Sequence, residues 1–160
     1  MARLAAAPAR RARFVEDKTF PQLTTPLRSD GMLAFRKPDH LEKDTTAPTP
    51  EKLVVDGGRL IIDQPGQPPR VVELGSEPAI RTLVDTIRAA LSGDLATLRR
   101  SYDVTGSGTA ADWQMVLHPR DPALAKLVRE VQLAGGTDLR RVETITSDGA
   151  TDTLTITPES

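Results

Sequence analysis

Cysteine is absent from the 160 residues, which excludes disulfides, thiolate nucleophiles and Cys-ligated zinc. The absence leaves the compartment open, since a cysteine-free chain suits any redox environment. Aromatic residues make up only 3%, too few for the stacking platforms that hold bases or sugars. An excess of one charge is missing as well. With 21 Lys and Arg against 22 Asp and Glu, the formal net charge is −1, without the basic surplus of a general nucleic-acid binder. No apolar run approaches the ~20 residues of a membrane-spanning helix. The chain is otherwise ordinary for a soluble globular protein, at 38% hydrophobic and 27% charged. Its length holds one domain with a real core and is short for two. The expectation is one domain over residues 1–160.

Residues 1–13 carry Arg3, Arg10, Arg11 and Arg13 but no apolar stretch of signal-peptide length. They read as a solvated first helix or a frayed end. Either the chain is cytosolic, or it is a mature form with an added Met.

Beyond this segment the chain reads mostly as strands. Gly31–Lys37 alternates, with Leu33 and Phe35 on one face. Lys52–Val55 and Arg59–Asp63 flank Asp56-Gly57-Gly58, the clearest hairpin signal in the chain. Short strands are also expected over 41–46 and 70–74. The period then changes. Ser76 is a candidate N-cap, Pro78 falls in a first helical turn, and Ile80, Leu83, Val84, Ile87 and Leu91 follow at helical spacing. Gly93 stops this helix, and Asp94 can cap a short second one. Residues 77–101 are thus a helical insert among strands. Tyr102–Val104 begins another strand, with Gly106–Gly108 as its turn. Trp113, Met115 and Leu117 share the face of the next. Residues 124–134 start with helical spacing and end as a strand. Leu139–Thr146 and Thr151–Thr157 form a last hairpin around Ser147-Asp148-Gly149-Ala150. The fold class is α+β, mainly antiparallel β, because tight turns imply antiparallel pairing. The insert has to bury its apolar stripe, and the concave face of a curled sheet is the natural partner.

Chemistry is sparse in this pattern. His40 and His118 flank turns without metal-ligand spacing, and read as surface residues. Gly106–Gly108 has no following helical run and no P-loop lysine. Glu16 and Asp17 point to opposite faces of a strand. Glu42 and Asp44 can share a face, but nothing beside them marks a sugar site. No serine sits in a G-x-S-x-G elbow. No catalytic residue, metal or cofactor is expected, and the chain does not read as an enzyme. What remains is apolar surface with a helical cover, which either plugs the sheet as an ordinary core or leaves a concavity for an apolar ligand.

Several features, in order, resemble the periplasmic lipoprotein carrier family LolA. Phe14 opens a strand, Gly31-Met32-Leu33-Ala34-Phe35 follows, and Lys37-Pro38 stands where the carriers place a basic residue before Pro. Leu41, Pro48, Leu53-Val54-Val55, Asp56-Gly57 and Leu60 keep the family's spacing. Pro78–Leu91 falls at its lid helix, Trp113–Leu117 before Pro119 at a later strand, and Leu154–Pro158 at the last one. Leu41-Glu42-Lys43 and Ser92-Gly93-Asp94-Leu95 are similar to the divergent LolA-related branch, whose members often accompany aryl-polyene or fatty-acid-like biosynthetic clusters.

The resemblance implies an incomplete, open curled β-barrel with a helical lid, in the periplasm, its signal peptide removed. It implies no cofactor, a lipid or acylated cargo, an inner-membrane donor and an outer-membrane acceptor. The protein is expected to be a monomer. Candidate walls of the apolar cavity are Leu33, Phe35, Leu53 and Val55, then Leu60 and Ile62, then Trp113, Met115 and Leu117. The lid is Ile80, Leu83, Val84, Ile87 and Leu91. Arg36, Lys37 and Lys43 are candidates for a latch or a head-group contact. An inward-facing Lys43 requires a partner: Glu16 or Glu51 across strands, an anionic cargo head, or solvent reached at the rim. Two other readings stay open. One is a structural or adaptor β-domain whose helix is a permanent plug. The other is an enzyme on lipid thioesters or glycolipids, which needs a base near a nucleophile.

Overall fold

Alternating small and apolar residues with arginines set the first strand. Ala12, Phe14 and Glu16 turn inward and are buried, while Arg11 and Arg13 face solvent. The structure, a computed structural model, describes residues 9–36 and 40–158. In it β1 (Ala9–Thr19) already includes residues 9–13, so the helix or frayed end expected there is a strand from Ala9 onward. The reason is tertiary: β1 is paired on both sides, with β2 (Leu27–Arg36) and with the last strand, β11 (Thr151–Pro158).

From β2 the chain meanders through β3 (His40–Ala47), β4 (Glu51–Asp56), β5 (Arg59–Asp63) and β6 (Arg70–Glu73). A 3₁₀ turn (Leu74–Ser76) leads into helix α1 (Pro78–Ser92) and helix α2 (Leu95–Ser101). The second half runs through β7 (Tyr102–Thr109), β8 (Asp112–Pro119), the short helix α3 (Pro122–Ala125), β9 (Val128–Gly135) and β10 (Leu139–Thr146) to β11. All pairs are antiparallel, in one 11-stranded sheet of order β6-β5-β4-β3-β2-β1-β11-β10-β9-β8-β7. The edges β6 and β7 are not paired to each other, so the sheet stays open. The expected fold class, mainly antiparallel β with an open curled sheet and helices, is what the structure has.

Local signals account for most element ends. Gly57 takes φ 59° in the β4–β5 turn and Gly149 φ 92° in the β10–β11 turn. Pro78 starts α1, Gly93 ends it at φ 73°, and the Asp94 N–H donates to the Ala89 carbonyl at 2.8 Å. Asp94 then caps α2, its carboxylate accepting from the Thr97 N–H at 3.2 Å. Ser76 is not the cap of α1. Its hydroxyl donates back to the Glu73 carbonyl at 2.9 Å, and Glu77 occupies the cap without a side-chain bond. Gly106–Gly108 is not a turn either. β7 runs through it, with Gly106 opposite Met115 and Gly108 opposite Trp113, and the chain reverses after Thr109.

The expected alternation in β2 is present, with Leu33 and Phe35 both buried. At Gly31 the β2–β3 register shifts, and a Cβ there would lie 2.0 Å from the Asp44 carbonyl oxygen. A side chain at this bulge would hold the two strands apart. On the concave face the helices divide the space. α2 packs on β7, and α3 packs on β8 and β9. α1 packs on α2 and α3 and reaches β2. Among the described residues no helix is long and apolar enough to cross a membrane.

Candidate functional site

A cavity of about 210 Å³ lies between α1 and the concave face. One wall is Leu33, Leu41, Leu53, Val55 and Leu60 from β2 to β5. The other is Leu139 and Val142 of β10 with Leu154 and Ile156 of β11. Val84, Ile87 and Leu91 of α1 cover it. The registers explain the first wall: Leu41 is opposite Val55, Val55 opposite Leu60, and cross-strand partners share a face.

One end of the cavity is polar, formed by Glu16, Lys43, Thr144 and Asp152. Lys43 Nζ donates to Glu16 Oε1 at 2.7 Å and lies 5.3 Å from the centroid of the Phe14 ring. The Ser29 hydroxyl donates to the same Glu16 oxygen at 3.4 Å. The Glu16 side chain is only 4% exposed and that of Lys43 20%, so the ammonium is committed to a nearly buried carboxylate. Breaking such a pair leaves an uncompensated charge. Asp152 adds a second carboxyl. Burial first, then the adjoining Glu16 carboxylate, push its pKa up to about 7. Burial by itself would raise Glu16 too. The hydrogen bond with Asp152 and the Lys43 charge outweigh it and hold Glu16 below the ordinary carboxylate range. The end group is thus one carboxylate, one carboxyl that still holds its proton near neutrality, and one ammonium. Asp152 Oδ1 is buried and has no hydrogen-bond partner among the described residues.

Glu16 and Lys43 also form part of a second hollow of about 390 Å³, polar and more open. The loops after β3 and β5 frame it, with Pro48, Thr49, Gln64 and Gln67. The ion pair is therefore a partition, with an apolar cavity on one side and a polar hollow on the other.

The expected residues fall in different places. Leu33, Leu53, Val55 and Leu60 are wall residues, and Val84, Ile87 and Leu91 are cover residues. Phe35 is buried opposite Leu41 and Ile62 half-buried opposite Leu53, but neither reaches the cavity. Trp113, Met115 and Leu117 face the same side of the sheet as Val131 and Leu133, yet they form core rather than wall. α3 fills the concavity over β8 and β9. The Trp113 indole donates to the Gly136 carbonyl at 2.8 Å. Ile80 and Leu83 lie on α1, but their side chains are outside the described residues. Lys37 is outside them altogether. Arg36 is exposed and lines neither hollow, whereas Lys43 lines both. Of the three fates open to Lys43, pairing with Glu16 is the one the structure contains.

The wall of β10 and β11 and the carboxyl of Asp152 were not anticipated. Leu154 and Ile156 alternate visibly in the sequence, but nothing local indicates that β11 pairs with β1 and so places Asp152 beside Glu16. The histidines are elsewhere. His40 is 3.1 Å from Glu42 and His118 2.8 Å from Glu130, and neither lines the cavity. Among the described residues no group of three or more His, Asp or Glu could hold a metal ion.

Comparison with known proteins gives one family match. A model of the family described as outer membrane lipoprotein carrier protein LolA-like matches residues 1–157. No curated protein matches the chain. Among solved structures it is similar to NE2245, a LolA superfamily protein of Nitrosomonas europaea. The identity is 11% and the TM-score 0.50, over 98% of this chain and 88% of that one. It is also similar to MucB, with 16% identity and a TM-score of 0.49 over 97% of this chain and 55% of that one. For the MucA/MucB complex of Pseudomonas aeruginosa the figures are 16% and 0.44, over 97% and 53%. The chain spans about half the length of the MucB chains. At these identities the likeness to solved structures is one of fold.

Proposed function

The chain belongs to the outer membrane lipoprotein carrier protein LolA-like family, and from that premise we propose that it is a non-catalytic periplasmic carrier that buries the acyl part of a lipidic cargo under helix α1. The cargo is a lipoprotein's acyl chains, a lipid or an aryl-polyene-type product. It is received from an inner-membrane donor and passed to an outer-membrane acceptor. The observation that carries this reading is the cavity whose apolar walls come from both halves of the sheet and from α1. Each methylene buried there contributes about 0.8 kcal/mol, so about ten methylenes contribute about 8 kcal/mol, within the range that offsets association costs. No catalytic group is needed for such binding.

One observation favours a second reading, the permanently plugged adaptor domain. The cavity of about 210 Å³ is below the ~300–1,000 Å³ of ligand pockets. Native mass spectrometry of protein exported to and recovered from the periplasm separates the two, followed by thermal titration with fatty acids and phospholipids. A carrier shows added lipid mass, or a melting temperature that rises with lipid. At a hundredfold excess over Kd the gain is about 2.7 kcal/mol. A clean apo mass together with a flat titration means a plug.

A further inference from the structure

The polar end of the apolar cavity holds two hydrogen-bonding groups that the ion pair does not use. Thr144 of β10 and Asp152 of β11 stand directly opposite each other in the antiparallel register, and both line the cavity. Cross-strand partners are about 5 Å apart at Cβ, so one small polar group can reach both. The Thr144 hydroxyl makes no hydrogen bond among the described residues, which leaves its proton free to donate. Asp152 shares a hydrogen bond with Glu16, and its Oδ1 accepts from no N–H or O–H of the described residues. Near neutrality it holds its proton. That proton serves Glu16, and one oxygen of the carboxyl is left as an acceptor without a donor. Glu16 and Lys43 are the other titratable groups lining the cavity, and they are bonded to each other at 2.7 Å. The lining of this end thus offers one free donor and one free acceptor, and its two formal charges are paired.

We propose that Thr144 and Asp152 form a polar subsite for an uncharged group that both accepts and donates a hydrogen bond, a hydroxyl or a secondary amide, carried by the cargo next to the chain buried under α1. The proposal rests on the carrier reading and narrows it to the class of polar group taken. A hydroxyl or amide entering the cavity loses its water, and here it finds one donor and one acceptor in exchange. An ether or an ester accepts from Thr144 but has nothing to give Asp152, whose oxygen it leaves stranded in an apolar wall. A site of this kind discriminates against the analogue that lacks the donor more sharply than an apolar wall discriminates by size.

The test is equilibrium dialysis of the full chain at a pH one unit below the value of about 7 at which Asp152 titrates. The probes share one chain length: dodecanol and N-methyldodecanamide, which donate and accept, and 1-methoxydodecane and methyl dodecanoate, which only accept. One or both of the donors should bind the wild-type protein about fivefold or more tighter than the two acceptors. Dodecanol alone or the amide alone showing the effect identifies the group. The preference should disappear in Asp152→Leu, with the affinity for 1-methoxydodecane unchanged, and should survive in Asp152→Asn, whose amide donates to Glu16 and keeps a carbonyl for the ligand. Thr144→Val should weaken all four probes to a similar degree, since each accepts from the hydroxyl. Equal binding of dodecanol and 1-methoxydodecane by the wild type overturns the subsite and leaves the carrier reading standing, whether or not any variant folds. So does a preference that persists in Asp152→Leu. No binding of any probe overturns both.

Discussion

Replacing Asp152 with asparagine should stabilise the protein, and by more as the pH rises. Asp152 on β11 faces Glu16 and Lys18 of β1 and Lys43 of β3, and its pKa is about 7 against 3.8 for an ordinary aspartate. Folding therefore keeps a proton on a group that the unfolded chain has already ionised. The stability it contributes is complete below pH 3.8 and is lost as the pH climbs through about 7. At 1.36 kcal/mol per pH unit, the loss is about 2 kcal/mol by pH 5 and about 4 kcal/mol by pH 8, as upper figures. Asparagine is neutral at both pH values, and its amide can donate to Glu16 as the protonated carboxyl does. Glu16 works in the opposite sense. Its pKa is held below 4.5, so its contribution is present above that value and lost only as the pH falls through the lowered one. It is ionised at pH 5 and at pH 8, and cancels in the comparison. A chain of this size moves about 2–4 °C in melting temperature per kcal/mol. The Asp152→Asn variant should therefore gain about 4 °C more over wild type at pH 8 than at pH 5. Thermal melts of both proteins at the two pH values measure this. An equal gain at both, or a loss at pH 8, refutes the view that a buried, proton-holding carboxyl sits beside Glu16.

Three further outcomes follow from the packing. Gly31→Ala places a Cβ where the Asp44 carbonyl stands, 2.0 Å away. It should lower the urea midpoint by the equivalent of about 2 kcal/mol or more, since backbone has to move. Trp113→Phe strands the Gly136 carbonyl that accepts from the indole and should cost about 1–3 kcal/mol. Because Trp113 is core and not cavity wall, dodecanol binding should stay within about twofold of wild type in dialysis. Tyr102 is the single tyrosine; burial raises its pKa, against the hydrogen bond with Thr86. Its absorbance at alkaline pH should report one group that stays un-ionised at pH 10 until the protein unfolds. A normal titration of the folded protein would contradict its burial against α1.

What the sequence shows well is what neighbouring residues decide. The Asp56-Gly57 hairpin, the inward pair Leu33 and Phe35, and the helix from Pro78 to Gly93 each follow from a local period and a local stop. Whether an inward residue lines a cavity or packs in a core depends on which helix covers it. Leu53 and Met115 alternate equally well. Leu53 reaches open space under α1, whereas Met115 belongs to the core on the side where α3 packs. The polar end is the extreme case. It joins Glu16, Lys43 and Asp152 from three strands, and depends on β1 pairing with β11 from opposite ends of the chain. Cross-strand reach makes Glu16 a candidate partner for Lys43, but nothing in the sequence brings in the second carboxyl.

The open sheet and the small cavity belong together. β6 has four residues and follows Pro68 and Pro69, so it is a poor template for a further strand. The connection from β6 to β7 is helical instead, and its first helix, α1, packs on α2 and α3 and reaches β2 over the concave face. A closed barrel has an interior fixed by its strand number and stagger. Here the interior is bounded on one side by a helix that side-chain contacts hold in place. One of these is the buried bond of 2.8 Å between the Thr86 and Tyr102 hydroxyls. A hydrogen bond of this kind contributes about 1 kcal/mol net, against about 8 kcal/mol for burying ten methylenes. Ile87 covers the cavity and is still 39% exposed, so much of its apolar surface has no partner to lose if α1 lifts. Val84, Ala89, Ala90 and Leu91 of the same helix are buried, so lifting α1 exposes them as well, and under the proposed carrier function the burial of an acyl chain has to offset that loss together with the hydrogen bond.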